Sequence, residues 1–310
     1  MVAGRQGFVP SSLRLNWTVC ASCVTHLPTK QKDDVMQPQH LASFSTENAG
    51  GNPAGVLIAQ SHPSEQAMRD IAADLGYSET AFACPKGDAW HVRYFSPESE
   101  VPFCGHATIA LGAALAAQEG DGVFKLILQG AEITVEGRTT DGGMHAALQS
   151  PPTQSEAAKP DLTEAALALF GLNPGDLDPR IAPAFAQAGA THLILALKSR
   201  QTLAEMSYDL DAGRALMRAH DLVTIALVWA EGDQLFHVRN AFASGGVLED
   251  PATGAAAAAF AGYLRDMAWP HGGEITVIQG EDMGAKSIIR AKIPPEIGSS
   301  IRVSGEVRQL

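Results

Sequence analysis

Cysteine is scarce in this chain. Four cysteines in 310 residues do not make a disulfide scaffold, and a reducing, cytoplasmic setting fits that usage better. Positive charge is also short. Lys and Arg number 22 against 34 Asp and Glu, a formal net charge of −12. A chain this acidic repels a phosphate backbone, so no nucleic acid is expected as a partner. No apolar run approaches the roughly 20 residues of a membrane helix, so no membrane is expected either. Gly-rich dinucleotide or phosphate loops in their required context are absent, no paired-histidine metal helix occurs, and the ten histidines are scattered. These absences predict no nucleotide and no metal. What remains is 45% hydrophobic and 18% charged, which supports a real core and rules out global disorder.

The length predicts two domains of about 100–200 residues, with one large domain as the competing prior. Residues 1–35 differ from the rest: basic residues are scattered among Ser and Thr, and one short apolar patch runs from Val19 to Val24. That patch lacks the length and exit of a secretory signal. Residues 1–35 read as a poorly ordered extension, with a weak targeting role as the alternative and Met36 as a candidate start. Cys20 and Cys23 have the spacing of half a zinc site, but no second pair follows nearby, so an incidental pair is the simpler reading.

Along the body, residues 39–46 and 55–60 read as strands around a loop, Asn48 to Pro53. Ser64 caps a helix to about Leu75 that stops at Gly76, with Met68, Ile71, Ala72 and Leu75 on one face. Strands follow at 80–83 and 90–95, pairing across Pro85 to Asp88. A small-residue helix runs from Ala107 to Gln118, then strands at 125–128 and 133–135. Pro151 through Pro160 is the best domain boundary. The second half repeats this order: a helix near 163–170, strands at 191–197 and 223–229, then Phe236-His237-Val238-Arg239, which resembles Trp90-His91-Val92-Arg93. Each His-Val-Arg run precedes a loop and an alanine-rich helix, Ala107–Gln118 and Ala255–Arg265. Two similar halves, each wrapping strands around one helix, fit this repeat better than a simple alternating parallel sheet.

Three segments concentrate chemistry. Glu79 sits between a helix stop and an apolar strand, where partial burial raises a carboxylate's pKa and suits it to passing a proton. A solvent-facing Glu at a strand end is the plain alternative. Cys104, Gly105 and His106 open the first alanine-rich helix, whose free N–H groups suit a carboxylate or a developing enolate. A buried small apolar Cys104 and a backbone-satisfied His106 are the alternatives. Asp250-Pro251 opens the second alanine-rich helix, and an N-cap aspartate is its plain reading. If the halves face each other, both helix starts converge on one cleft.

Together these segments carry a resemblance. Gly51-Asn52-Pro53-Ala54-Gly55-Val56, Ser78-Glu79-Thr80-Ala81-Phe82, Phe103-Cys104-Gly105-His106-Ala107-Thr108, Glu249-Asp250-Pro251-Ala252-Thr253-Gly254 and Gln279 to Gly284 resemble, in order, the signature segments of the phenazine-biosynthesis PhzF-like isomerase family. The resemblance spans about residues 39–290. It implies an α/β (α+β) fold of two similar diaminopimelate-epimerase-like domains, each a curved mixed sheet around a central helix. It places them at 36–150 and 160–290, with 291–310 as a segment packing back on the first. It further implies a cofactor-independent isomerase working as a homodimer on a small carboxylic acid. Glu79, His106 and Asp250 would be the catalytic residues, and Asn52, Ser78, Cys104, Gly105, Thr253 and Gly254 would bind substrate. Two positions depart from the family pattern: Ala255 stands where Ser is common, and Ala285-Lys286 where Arg-Pro is usual.

The favoured reading is an isomerase that removes a proton beside a carbonyl or unsaturated acid and returns it elsewhere. Two alternatives stay open: a racemase or epimerase using Cys104, and a non-catalytic small-acid binding protein. For the racemase, the partner cysteine's place is expected at Pro251. A Cys104/His106 hydrolase is disfavoured, because residues two apart at a helix start are expected to point in different directions.

Overall fold

The computed structural model describes residues 37–46 and 49–310. The extension at 1–35, its Cys20–Cys23 pair, Met36 and Asn48 lie outside the described residues. The first half of the chain runs β1 (Gln39–Ser45), β2 (Asn52–Ile58), α1 (Glu65–Leu75), β3 (Thr80–Lys86), β4 (Ala89–Phe95), β5 (Glu100–Val101), α2 (Gly105–Glu119), β6 (Gly122–Leu128), β7 (Ala131–Thr140) and β8 (Gly143–Pro152). The second runs β9 (Gln154–Ala157), α3 (Pro160–Leu169), β10 (Ala184–Gln187), β11 (Thr191–Leu197), α4 (Arg200–Ala204), α5 (Leu210–Ala219), β12 (Thr224–Ala230), β13 (Leu235–Ala241), β14 (Glu249–Asp250), α6 (Gly254–Asp266), β15 (Glu274–Gln279), β16 (Ser287–Lys292) and β17 (Ser300–Gln309).

The strand pairings close into two rings. In the first, β1, β2, β3, β4, β6, β7, β8 and β17 pair in turn, and β17 returns to β1; β2–β3 and β4–β6 are the parallel pairs. In the second, β9, β10, β11, β12, β13, β15, β16 and β17 pair in turn, with β11–β12 and β13–β15 parallel. It closes because β17 also pairs with β8, which runs on into β9 through Thr153. The rings therefore share β8 and β17. Full closure removes the unpaired edges that an open sheet would expose.

Each ring encloses a helix. α2 packs against β1, β2, β7 and β8, and α6 against β9, β10, β16 and β17. Residues His106 through Ala116 of α2 are all buried, the pattern of a helix with neighbours on every side. Small residues set the spacing: a Cβ on Gly137 of β7 would stand 2.0 Å from the carbonyl oxygen of Gly112. Gly137→Ala would push strand and helix backbones apart.

Several local expectations hold in detail. Ser64 Oγ accepts from Ala67 N at 3.2 Å, and Gly76 ends α1 in the left-handed region at φ 67°. Others shift. Asn52 and Pro53, read as loop, start β2, because Pro53 lies opposite Ala42 in β1. The hairpin turn narrows to Gly87-Asp88, since Pro85 and Lys86 stay paired with Trp90 and Ala89. The proline-rich stretch at 151–160 holds the end of β8, all of β9 and the start of α3.

Candidate active site

Glu79 follows the αL stop of α1 and immediately precedes β3. Its backbone carbonyl accepts from Gly55 N at 3.3 Å, so β2 fixes where its side chain departs. That side chain is 17% exposed, and Oε2 lies 3.6 Å from His106 Nε2. His106 is the second residue of α2 and is buried. Its ring is held on both sides: Nε2 lies 3.3 Å from Ser78 Oγ, and Nδ1 3.3 Å from Cys104 Sγ. Its backbone carbonyl accepts from Ser43 Oγ at 2.7 Å.

The meeting of Cys104 with His106 corrects the expectation that residues two apart would diverge. Cys104 is the N-cap, with φ −143° and ψ 118°, so its extended backbone swings the thiol onto the imidazole. Burial pushes the Cys104 thiol well above its usual range, and the negative charges of Glu79 and Asp250 reinforce this, while the nearby Ala107 amide works against it. The thiol thus stays protonated, which suits neither a thiolate nucleophile nor a thiolate base.

Asp250 also departs from its plain reading. It lies in β14, and the N-cap of α6 is Thr253. Asp250 Oδ1 accepts from Asn52 Nδ2 at 2.8 Å, and Oδ2 accepts from Thr253 Oγ1. Burial raises Asp250 from the usual carboxylate value to about 6, and the nearby Glu79 adds to this; His106, Thr253 and Asn52 pull the other way. Gln279 anchors the segment: Nε2 donates to the Asp250 carbonyl at 2.7 Å, and Oε1 accepts from Thr253 N at 3.2 Å. Gly280 follows at φ 72°, where a Cβ would stand 2.7 Å from the Pro251 carbonyl oxygen. That close approach explains the glycine.

One open cleft of about 1040 Å³ gathers these groups. Its wall includes Asn52, Ser78, Glu79, Cys104, Gly105, His106, Asp250, Thr253 and Gly254, every residue singled out from the sequence. Both helices point their starts into it. Neither Cys104 nor Thr253 caps its helix through its side chain, and neither first turn is acidic. The free N–H groups of both starts are left for an anionic ligand. Gly105 faces open space, since a Cβ there would meet nothing within 4 Å. Ala255 lines the cleft; among the described residues, Ala285 and Lys286 do not. Glu79, Cys104 and His106 bring one candidate metal-ligand atom each within 4.8 Å of one another, and His106 Nε2 is shared with Ser78 Oγ.

Sequence reasoning missed four residues here. Gln279 lay in a quoted motif without an assigned role. Arg214 and Arg218 of α5 line the far wall, and their i,i+4 spacing was the available signal. His192 also lines the cleft and is fully buried, with Nδ1 2.7 Å from Thr224 Oγ1 and Nε2 lacking a hydrogen-bond partner. Burial pushes it down to about 4, so it is neutral.

Comparison with known proteins finds relatives along nearly the whole described length. The family model for phenazine biosynthesis-like proteins, PhzC-PhzF, matches residues 41–307. An uncharacterised isomerase of Mesorhizobium japonicum is 30% identical over 282 residues, covering 84% of this chain and 92% of that protein. The trans-2,3-dihydro-3-hydroxyanthranilate isomerase of Pseudomonas aeruginosa is 29% identical over 272 residues, covering 85% and 93%. A solved PhzF-family phenazine biosynthesis protein of Bacillus anthracis shares the fold with a TM-score of 0.78 at 20% identity, covering 88% and 96%. This chain therefore belongs to the phenazine biosynthesis-like protein family of isomerases, on the diaminopimelate-epimerase-like fold.

Proposed function

We propose that the protein isomerises a small cyclic or unsaturated carboxylic acid by cofactor-independent proton transfer, with Glu79 as the acid/base. The carrying observation is the placement of the Glu79 carboxylate 3.6 Å from His106 Nε2 in a cleft bordered by two uncapped helix starts. The substrate carboxylate would sit against the N–H groups at Gly105 and Gly254. Glu79 takes the proton as a C–H bond breaks, and the electron pair delocalises into the unsaturated system. The developing charge is stabilised by the same N–H groups and by His106. Glu79 then delivers the proton to another carbon, and the new C–H bond restores neutrality. Asp250, held by Asn52 and Thr253, orients the substrate from the other wall.

The domains we propose are 36–150 and 160–290, one built around each ring, with 291–310 joined to both rings through β17. The working assembly is a homodimer, which analytical ultracentrifugation measures directly.

The chemistry is tested by proton NMR in deuterium oxide over a panel of cyclic, aromatic and unsaturated carboxylic acids, including a dihydro-hydroxyanthranilate. One acid should take up deuterium with the wild-type protein. In Glu79→Gln, uptake should fall by about 10²–10⁴, the usual weight of general acid–base catalysis. Unchanged uptake in that variant removes Glu79 from the mechanism. Binding of the acids with no uptake in wild type points instead to a binding protein.

A further inference from the structure

A second cluster of chemistry-bearing side chains lies away from the cleft, at the opposite end of β3 from Glu79. Cys84 and His91 are cross-strand neighbours on β3 and β4. His62 reaches the pair from the segment between β2 and α1. One ligand atom from each of these half-buried residues lies within 4.8 Å of the others. His62 Nε2 and His91 Nδ1 are 3.2 Å apart. Two imidazole nitrogens on one tetrahedral zinc, at about 2.0–2.1 Å each, stand roughly 3.3 Å apart. The remaining His62 nitrogen, Nδ1, is buried without a hydrogen-bond partner. Cys84 is a free thiol.

We propose that His62, Cys84 and His91 form a binding site for a divalent, borderline-soft transition metal, with zinc as the reference ion. One thiolate and two imidazoles make a donor set suited to zinc and poorly suited to calcium or magnesium. The half-exposed position leaves the fourth coordination place to water. The charged groups around the pair are Arg93, Lys86 and Glu100. Arg93 is already neutralised by Glu100, at 2.6 and 2.7 Å, and does not compete for the thiolate. The site escaped the sequence reading because its ligands come from three separate elements with no short repeat spacing. It is independent of the proton-transfer reading, since five residues of β-strand, roughly 16 Å, separate Cys84 from Glu79.

The test is a cobalt(II) titration of the full chain, in wild type and in a Cys20→Ser/Cys23→Ser background that removes the other cysteine pair. Both should bind one cobalt per chain with a thiolate-to-metal charge-transfer band, and excess zinc should displace it. Cys84→Ser in that background should abolish the band and weaken binding at least tenfold. His62→Gln should also weaken binding at least tenfold, and it tests the site away from the sheet should Cys84→Ser fold poorly. Zinc should raise the thermal midpoint of wild type and leave that of His62→Gln unmoved. Failure to bind cobalt, a band that survives Cys84→Ser, or a band lost only with Cys20/Cys23 or Cys104 would overturn the proposal.

Discussion

The two halves of the molecule carry the same frame and different chemistry. β4 and β13 place His-Val-Arg at the same strand positions, with His91 and His237 third and Arg93 and Arg239 fifth. Each strand pairs with a two-residue strand in the same register, Phe95 opposite Glu100 and Ala241 opposite Glu249. Each arginine binds that glutamate. Counting on, Pro102 matches Pro251, Cys104 matches Thr253, and Gly105 matches Gly254 at the two helix starts. The position opposite Cys104 is therefore Thr253, not Pro251 as the family resemblance suggested, and a hydroxyl stands where a second thiol would be needed. The groups that shape the backbone are shared. The reactive ones are not: the equivalent of His106 is Ala255, and that of Asp250 is Val101. A two-thiol racemase needs a thiol at each helix start; this cleft has Cys104 at one and Thr253 at the other.

Breaking the shared frame should affect the halves unequally. Glu249 is 6% exposed, and Arg239 Nη1 also donates to the Ala204 and Met206 carbonyls. Arg239→Ala strands a buried charge and should lower stability by about 3–5 kcal/mol in denaturant unfolding. In Arg93 and Glu100 both side chains are about a quarter exposed, at 23% and 24%, so Arg93→Ala should cost only about 1 kcal/mol. Equal losses would mean the pairs are equally buried in solution.

Asp250 gives an intermediate effect with a definite sign. Its folded value of about 6 lies above its ordinary value of 3.8, so the folded state binds the proton more tightly than the unfolded chain. That contribution is complete below pH 3.8 and is lost as pH rises through about 6. The loss amounts to roughly 3 kcal/mol. Denaturant midpoints measured from pH 4 to 7 should show wild type falling relative to Asp250→Asn. Parallel curves would contradict a raised Asp250. The smallest effect is expected at Cys104: because its thiol stays protonated, Cys104→Ala should keep activity within about threefold.

Much of this was legible locally. The Ser64 cap, the Gly76 stop and both alanine-rich helices stand in the sequence because capping and small-residue patterning are local. Alternation of buried Ile301, Val303, Gly305 and Val307 in β17 was present too, but nothing local signalled that this strand closes the second ring as well as the first. β9 was hidden by prolines that usually punctuate. Asn52 meets Asp250 across 198 residues, and only the family resemblance grouped them. Cys104 and His106 were misjudged for a different reason: helical side-chain directions do not apply to an extended N-cap.

The central claim is that one carboxylate both removes and returns the proton. It is tested by converting a substrate deuterated at the reacting carbon in light water and measuring the label in the product by mass spectrometry. A single, largely buried carboxyl should carry a measurable fraction of the deuterium to its new carbon, and Cys104→Ala should preserve that fraction. Complete loss of label in the wild-type product, with retention appearing only when Cys104 is removed, would contradict the account.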